Sequence, residues 1–158
     1  MNNIELAKEE FLKGNYTFVM AGEGKIITNT NKGLSPIIEL IESGDDFSEY
    51  AVCDKITGRA AAFLYVLLGI EAVHAKKMAK LAIQILDRAE IKYSYDELIE
   101  TVLDSEMKEI DPVELSVLRS GSAVQAINDI KSALSKYFTF SYINLNKKKP
   151  GSYLLSHN

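Results

Sequence analysis

The chain has one cysteine, Cys53, in 158 residues, no apolar run of membrane-spanning length and no surplus of positive charge. A single thiol excludes an internal disulfide and fits a reducing compartment. The longest apolar stretch, Ala60 to Ile70, is about half of the ~20 residues that a spanning helix needs. The N-terminus, MNNIELAKEEFLKG, is charged and periodic where a secretion signal or anchor would carry a basic stub and an apolar run. These absences predict a cytoplasmic protein with no membrane partner. With 18 basic against 22 acidic side chains, the net charge of −4 repels a polyanion at long range, so no nucleic-acid partner is expected. The basic run Lys147 to Lys149 stands before Pro150-Gly151 and reads as solvated tail. Internal repeats and a second-domain boundary are lacking too.

The chain does have the balance of an ordinary folded domain, 47% hydrophobic and 25% charged, which supplies one full core. Residues 4 to 13 place Ile4, Leu6, Ala7, Phe11 and Leu12 at helical spacing, stopped by Gly14-Asn15. YTFVMA (16 to 21) and KIITN (25 to 29) flank Gly22-Glu23-Gly24 and predict a β-hairpin. Ser35 before Pro36 reads as the N-cap of a second helix ending at Gly44. Strand and helix then alternate: YAVC (50 to 53), a helix from Lys55 to Leu68, EAVHA (71 to 75), a helix from Lys76 to Glu90, and IKYSY (91 to 95). Such alternation implies parallel strands with right-handed crossovers and helices on both faces, a three-layer α-β-α sandwich with a mixed five-stranded sheet.

The helix containing AAAFLYVLLG is apolar nearly all round, so it should be covered on more than one side. A short helix is expected over 96 to 102, a polar loop over 103 to 110, and another helix over 112 to 119. After Ser120-Gly121-Ser122 comes a last amphipathic helix, about 123 to 136. Residues 1 to 120 thus form the core unit, and 121 to 158 a helix and tail appended to it. In the tail, the alternating Phe138, Phe140 and Tyr142 suit an edge strand or a docking segment, with fraying after Asn144.

A hairpin, a helix, then strand-helix-strand-helix-strand is the element order of the cytidine-deaminase-like fold. The segments GNYTFVM, KGLSPIIELIESG and DKITGRAAAFLYV, followed less closely by GIEAVHA and DPVE, make the match more specific. Residues 14 to 69 resemble a prokaryotic family known only as a domain of unknown function and assigned to that fold; the likeness extends over about 4 to 118. It implies a fold and a site position but no activity. Deaminases of this fold hold zinc through H-x-E or C-x-E at one helix start and P-C-x-x-C at the next. Here the two starts read GLSPII and DKITGRAAA, without thiolate or imidazole, so no zinc and no other cofactor is expected. The resembling family carries a cysteine in place of Asp111 and usually a lysine in place of Arg59.

The residue types that suit chemistry gather near the third helix. As helical residues four apart in its first turns, Lys55 and Arg59 would repel each other and oppose the helix dipole, two penalties that a seated anion would reverse. Gly58 would let a ligand approach the backbone. Asp54 reads as the N-cap of that helix and, alternatively, as a carboxylate base paired with Lys55 or Arg59. Ser35, with Thr28 and Asn29, would face the same crevice. Asp111 and Glu114 form a capping box that leaves Glu114 as a further candidate. Cys53 and His74 end neighbouring strands, yet lack an orienting third group and read as structural. The expectation is an anionic small molecule, a metabolite or nucleotide-like, held at the starts of helices two and three. Asp54 and Lys55 would be catalytic, with Gly58, Arg59, Ser35 and Glu114 binding the ligand. A non-catalytic binding module and an interaction protein using the C-terminal helix and tail are the alternatives; a homo-oligomer is possible in each.

Overall fold

The computed structural model describes residues 1–148. Its elements run α1 (Asn3–Phe11), β1 (Phe18–Gly22), β2 (Lys25–Asn29), α2 (Ser35–Ser43), β3 (Ala51–Thr57), α3 (Arg59–Leu68), β4 (Ala72–Ala79), α4 (Lys80–Arg88), β5 (Lys92–Ile99), α5 (Pro112–Ser116) and α6 (Ala123–Lys148). One mixed sheet takes the order β2-β1-β3-β4-β5. β1 lies antiparallel to both β2 and β3, while β3, β4 and β5 are parallel.

Side chains alternate between the faces of a strand, and the core divides accordingly. Phe18, Met20, Val52, Val73 and Ala75 join α2, α3, α4 and α6 in the main core, whereas Val19, Ala21 and Cys53 pack under Ala7 and Phe11 of α1. Three layers result, with α1, among the described residues, alone on one face. α3 is enclosed as its composition requires: it lies between the sheet and α6 and is flanked by α2 and α4. Seven of its ten residues are buried. Ala126 and Ile130 of α6 are fully enclosed in the same core.

The structure moves several boundaries. β3 does not stop at Cys53 but runs to Thr57, and β4 runs to Ala79. In each strand a continuous buried run gives way to two successive exposed residues, Lys55-Ile56 and Lys76-Lys77, before burial resumes at Thr57 and Met78. That interruption ends the apolar run early and makes the strand ends read as helix starts. The helix expected over 96 to 102 is the continuation of β5, whose Glu97, Leu98 and Ile99 pair with Lys77, Met78 and Ala79. Helix two begins with Leu34, not Ser35, at its N-cap; Ser35 is its first residue and makes no side-chain cap. The strand suggested for 138 to 142 is helical, since α6 continues to Lys148. The fraying expected beyond Asn144 falls largely on residues 149–158, outside the described residues.

Candidate functional site

The end of β3 lies beside a cavity of about 440 Å³. β3 and β1 supply Asp54, Lys55 and Phe18, and the approach to α2 supplies Lys32 and Leu34. The 100 to 111 loop supplies Val102, Leu103 and Asp104. That loop is closed by a Leu103↔Ile110 bridge and by Asp111 N–H donating to the Val102 carbonyl at 3.0 Å. Of the six sequence-derived candidates, Asp54, Lys55, Gly58 and Glu114 line the cavity, whereas Ser35 and Arg59 do not. Thr28 does not line it either, and Asn29 instead organises the turn after β2, accepting from Thr17 Oγ1 at 3.0 Å and from Asn31 N–H at 2.8 Å.

Asp54 is not a helix cap. It lies within β3, only 7% exposed, and its Oδ2 accepts from Tyr65 Oη at 2.7 Å and from Thr57 Oγ1 at 2.8 Å. Burial pushes its carboxyl up to about 6, against the hydroxyl and backbone N–H donors that hold it down. Tyr65 is driven well above its ordinary value, first by burial and then by the carboxylate beside it, and so stays a donor. The sequence reading missed this pair. A tyrosine in an otherwise apolar helix was the available signal, because a buried phenol needs a partner.

Where an anionic ligand was expected, the start of α3 holds a carboxylate of the protein itself. Glu114 Oε2 accepts from Arg59 N–H at 3.0 Å and Oε1 from Ala60 N–H at 3.1 Å, so a side chain 55 residues along the chain caps the helix. Glu114 is 7% exposed, and its pKa is raised, burial being the main cause. Only half of the capping box forms: Asp111 Oδ1 accepts from Glu114 N–H at 3.4 Å, and from Val113 N–H at 2.8 Å, but the Glu114 side chain reaches across to α3. Gly58 is small because this carboxylate and Val102 crowd it. A Cβ there would come within 2.6 Å of Glu114 Cδ and 2.7 Å of Val102 Cγ2. Its φ of −98° and ψ of −173° suit any residue, so Gly58→Ala is expected to act through overpacking, destabilising by about 1–3 kcal/mol in chemical denaturation.

Arg59 is the first residue of α3, whereas Lys55 is a strand residue, so the expected pair of helical cations does not exist. The Arg59 guanidinium braces α5 and the turn behind it, donating from Nε to the Val117 carbonyl at 3.0 Å and from Nη2 to that of Ser120 at 3.1 Å. It also lies 5.0 Å from the Phe63 ring centroid. Cys53 and His74 are register partners on β3 and β4, but each is committed elsewhere. The thiol is buried and pushed up to about 12, mainly by desolvation. His74 is held by Ser94 Oγ at 2.7 Å and Asp96 Oδ1 at 3.1 Å on β5, its pKa lowered chiefly by burial. Among the described residues no three His, Cys, Asp or Glu side chains converge as metal ligands.

A family model described as TM1506, domain of unknown function (DUF1893), matches residues 6–134. The chain belongs to the DUF1893 family. The match extends past residue 118, the limit of the resemblance seen in the sequence, into the first half of α6. A crystal structure of a DUF1893 family protein, TM1506 from Thermotoga maritima, is similar to this one. The two are 28% identical, covering 85% of this chain and 89% of that chain with a TM-score of 0.74. No curated protein matches the chain. The DUF1893 match therefore brings a shared architecture and no reaction, and chemistry has to be argued from the cavity itself. Among the described residues no helix is long and apolar enough to cross a membrane.

Proposed function

We propose that this DUF1893 protein binds a small organic molecule bearing an anionic group in the cavity beside β3, with Asp54 as the group that moves a proton. One observation carries the reading: an almost fully buried carboxyl, raised to about 6, lines a cavity of about 440 Å³ whose walls are otherwise mostly apolar. A concave apolar site with a few convergent polar groups and a perturbed titratable residue is the usual form of a ligand site. A carboxyl titrating near 6 is poised for proton transfer close to neutral pH. Both hydroxyl donors go to Oδ2, and that anchoring fixes the carboxyl's orientation toward a ligand. Lys55, exposed at the cavity, supplies the positive charge for an anionic group. In this reading Glu114 and Gly58 shape the wall, Arg59 holds α5 in place, and Ser35 stands outside the contact. The cytidine-deaminase-like assignment remains part of the proposal, supported by element order, as do the cytoplasmic setting and a self-associating form.

A thermal-shift screen with nucleotides, nucleobases and phosphorylated metabolites, followed by product analysis of each hit, tests the reading. Lys55→Ala should abolish the ligand-induced shift while leaving the melting temperature of the free protein nearly unchanged. A large loss of stability would make Lys55 structural. A non-catalytic binding module is the second reading, favoured by Asp111 standing where the resemblance implies a cysteine; binding without turnover would select it.

A further inference from the structure

β5 is one edge of the sheet, and among the described residues no strand pairs with its outer side. Six of its eight residues are exposed, including Tyr95 at 38% and Leu98 at 41%. An open edge is a template for another strand, and proteins blunt it with proline, a bulge, brevity or a covering element. β5 has no proline, and its register with β4 holds from Ala72↔Lys92 to Ala79↔Ile99 without a bulge.

The ladder decides which backbone groups face outward. Lys92 N–H donates to the Glu71 carbonyl at 3.4 Å. Successive backbone groups of a strand point to opposite sides, so Tyr93 and Tyr95 turn their N–H and C=O away from β4. A two-fold axis, the commonest symmetry of oligomers, brings two copies of one strand together antiparallel. With that axis at Ser94, Tyr93 of each copy meets Tyr95 of the other as a hydrogen-bonded pair. The same register sets Lys92 of each copy opposite Asp96 of the other. Axes at Tyr93 or Tyr95 set Lys92 opposite Ser94 or Leu98, and an axis at Asp96 sets two carboxylates face to face. Ser94 is therefore the centre at which the charges match.

Both charged groups are open to such a partner. Lys92 is exposed and makes no ion pair among the described residues. Asp96 is 62% exposed with Oδ1 accepting from or bonded to His74 Nε2 at 3.1 Å. Lys76, which the register sets beside Asp96 on β4, makes no ion pair with it. The opposite edge lacks this match, because the five residues of β2 include a lysine and no carboxylate.

We infer that β5 is the surface through which two copies of this chain associate, antiparallel about Ser94, joining their sheets into one. Crossed Tyr93–Tyr95 pairs on one face and Lys92–Asp96 pairs on the other supply the side-chain contacts of such a junction. The inference commits the self-associating form proposed above to one surface and is independent of the cavity. The competing role for Lys92, Asp96 and Glu97 is to keep the edge unpaired.

Sedimentation of the full chain over a range of concentrations tests this, together with amide hydrogen exchange. The protein should pass from the mass of one copy to that of two, and exchange at the amides of Tyr93 and Tyr95 should slow as it does. Lys92→Asp sets two carboxylates opposite each other and Asp96→Lys two ammonium groups, so each variant should dissociate at a concentration about tenfold higher or more. Mixing the two variants restores both opposite-charge pairs and should restore the dimer, which a merely misfolded variant would not do. A chain that keeps the mass of one copy throughout would overturn self-association and surface together and assign the charges to keeping the edge unpaired. A dimer indifferent to both substitutions, or variants that stay apart when mixed, would overturn the surface alone.

Discussion

Glu114→Ala is expected to destabilise the protein by about 2–4 kcal/mol, because it strips two buried N–H groups of a charged acceptor and opens a void between helices. The acceptor in question caps α3, the most enclosed helix, through Arg59 and Ala60. Glu114→Gln should fall between wild type and alanine, since its amide offers one oxygen where the carboxylate offers two. Urea denaturation of the three proteins measures the series. Equal stability of wild type and Glu114→Ala would mean that α3 finds its cap elsewhere and that the seat of the negative charge has been misassigned.

Asp54→Asn is expected to have the opposite sign, raising stability at pH 7.5 by about 1–3 kcal/mol while abolishing ligand turnover or binding. The sign follows from the raised carboxyl. With a folded value of about 6 against an ordinary 3.8, the folded state holds a proton that the unfolded state has released between those two pH values. The contribution of Asp54 to stability therefore improves as pH falls from above 6 toward 4, and at neutral pH the buried ionised form is a burden of about 3 kcal/mol at most. Asparagine removes the charge and keeps the shape, so the difference between variant and wild type should shrink as pH falls and vanish only below about pH 3, where Asp54 is protonated in both states. A variant less stable than wild type at pH 7.5 would make the carboxylate a structural acceptor for Tyr65 and Thr57. A group kept at a cost in stability is what a functional site predicts.

Much of this arrangement was legible before any coordinates. The hairpin, the three parallel strands and the buried third helix follow from apolar periodicity and from glycines at the chain reversals, and α2 and α3 end on Gly44 and Gly69, both with positive φ. The neighbourhood of the cavity was legible too, because Asp54, Lys55 and Gly58 line it. What failed was local punctuation. Two exposed residues in a row at Lys55-Ile56 hide the end of β3, so Asp54 looks like a cap and Lys55 looks helical. The true cap of α3 comes from Glu114, and no pattern near residue 59 signals a partner 55 positions away. The same distance explains Arg59, whose oddness at a helix start is resolved by carbonyls of Val117 and Ser120. The sequence reading expects an anionic ligand at the start of α3; the structure places the Glu114 carboxylate there.

The appended C-terminal unit was the least legible part. Ser122 does begin a helix, with Gln125 N–H donating to Ser122 Oγ at 3.1 Å and Gln125 Oε1 accepting from Gly121 N–H at 3.2 Å. Yet Ala126 and Ile130 close the main core and Leu134 lines the cavity. Removing residues 121 to 158 would therefore open the core that the other elements share, and a truncation meant to isolate a partner-binding helix would have to begin later.

The measurement closest to the centre of this account is the titration of the Asp54 side-chain carbon by NMR in the free, full-length protein. A midpoint near pH 6, absent from the spectrum of Asp54→Asn, is the predicted result. A midpoint at or below the ordinary carboxylate value would contradict it, showing that the two hydroxyl partners hold the group permanently charged and that its place in the cavity wall has no part in proton transfer.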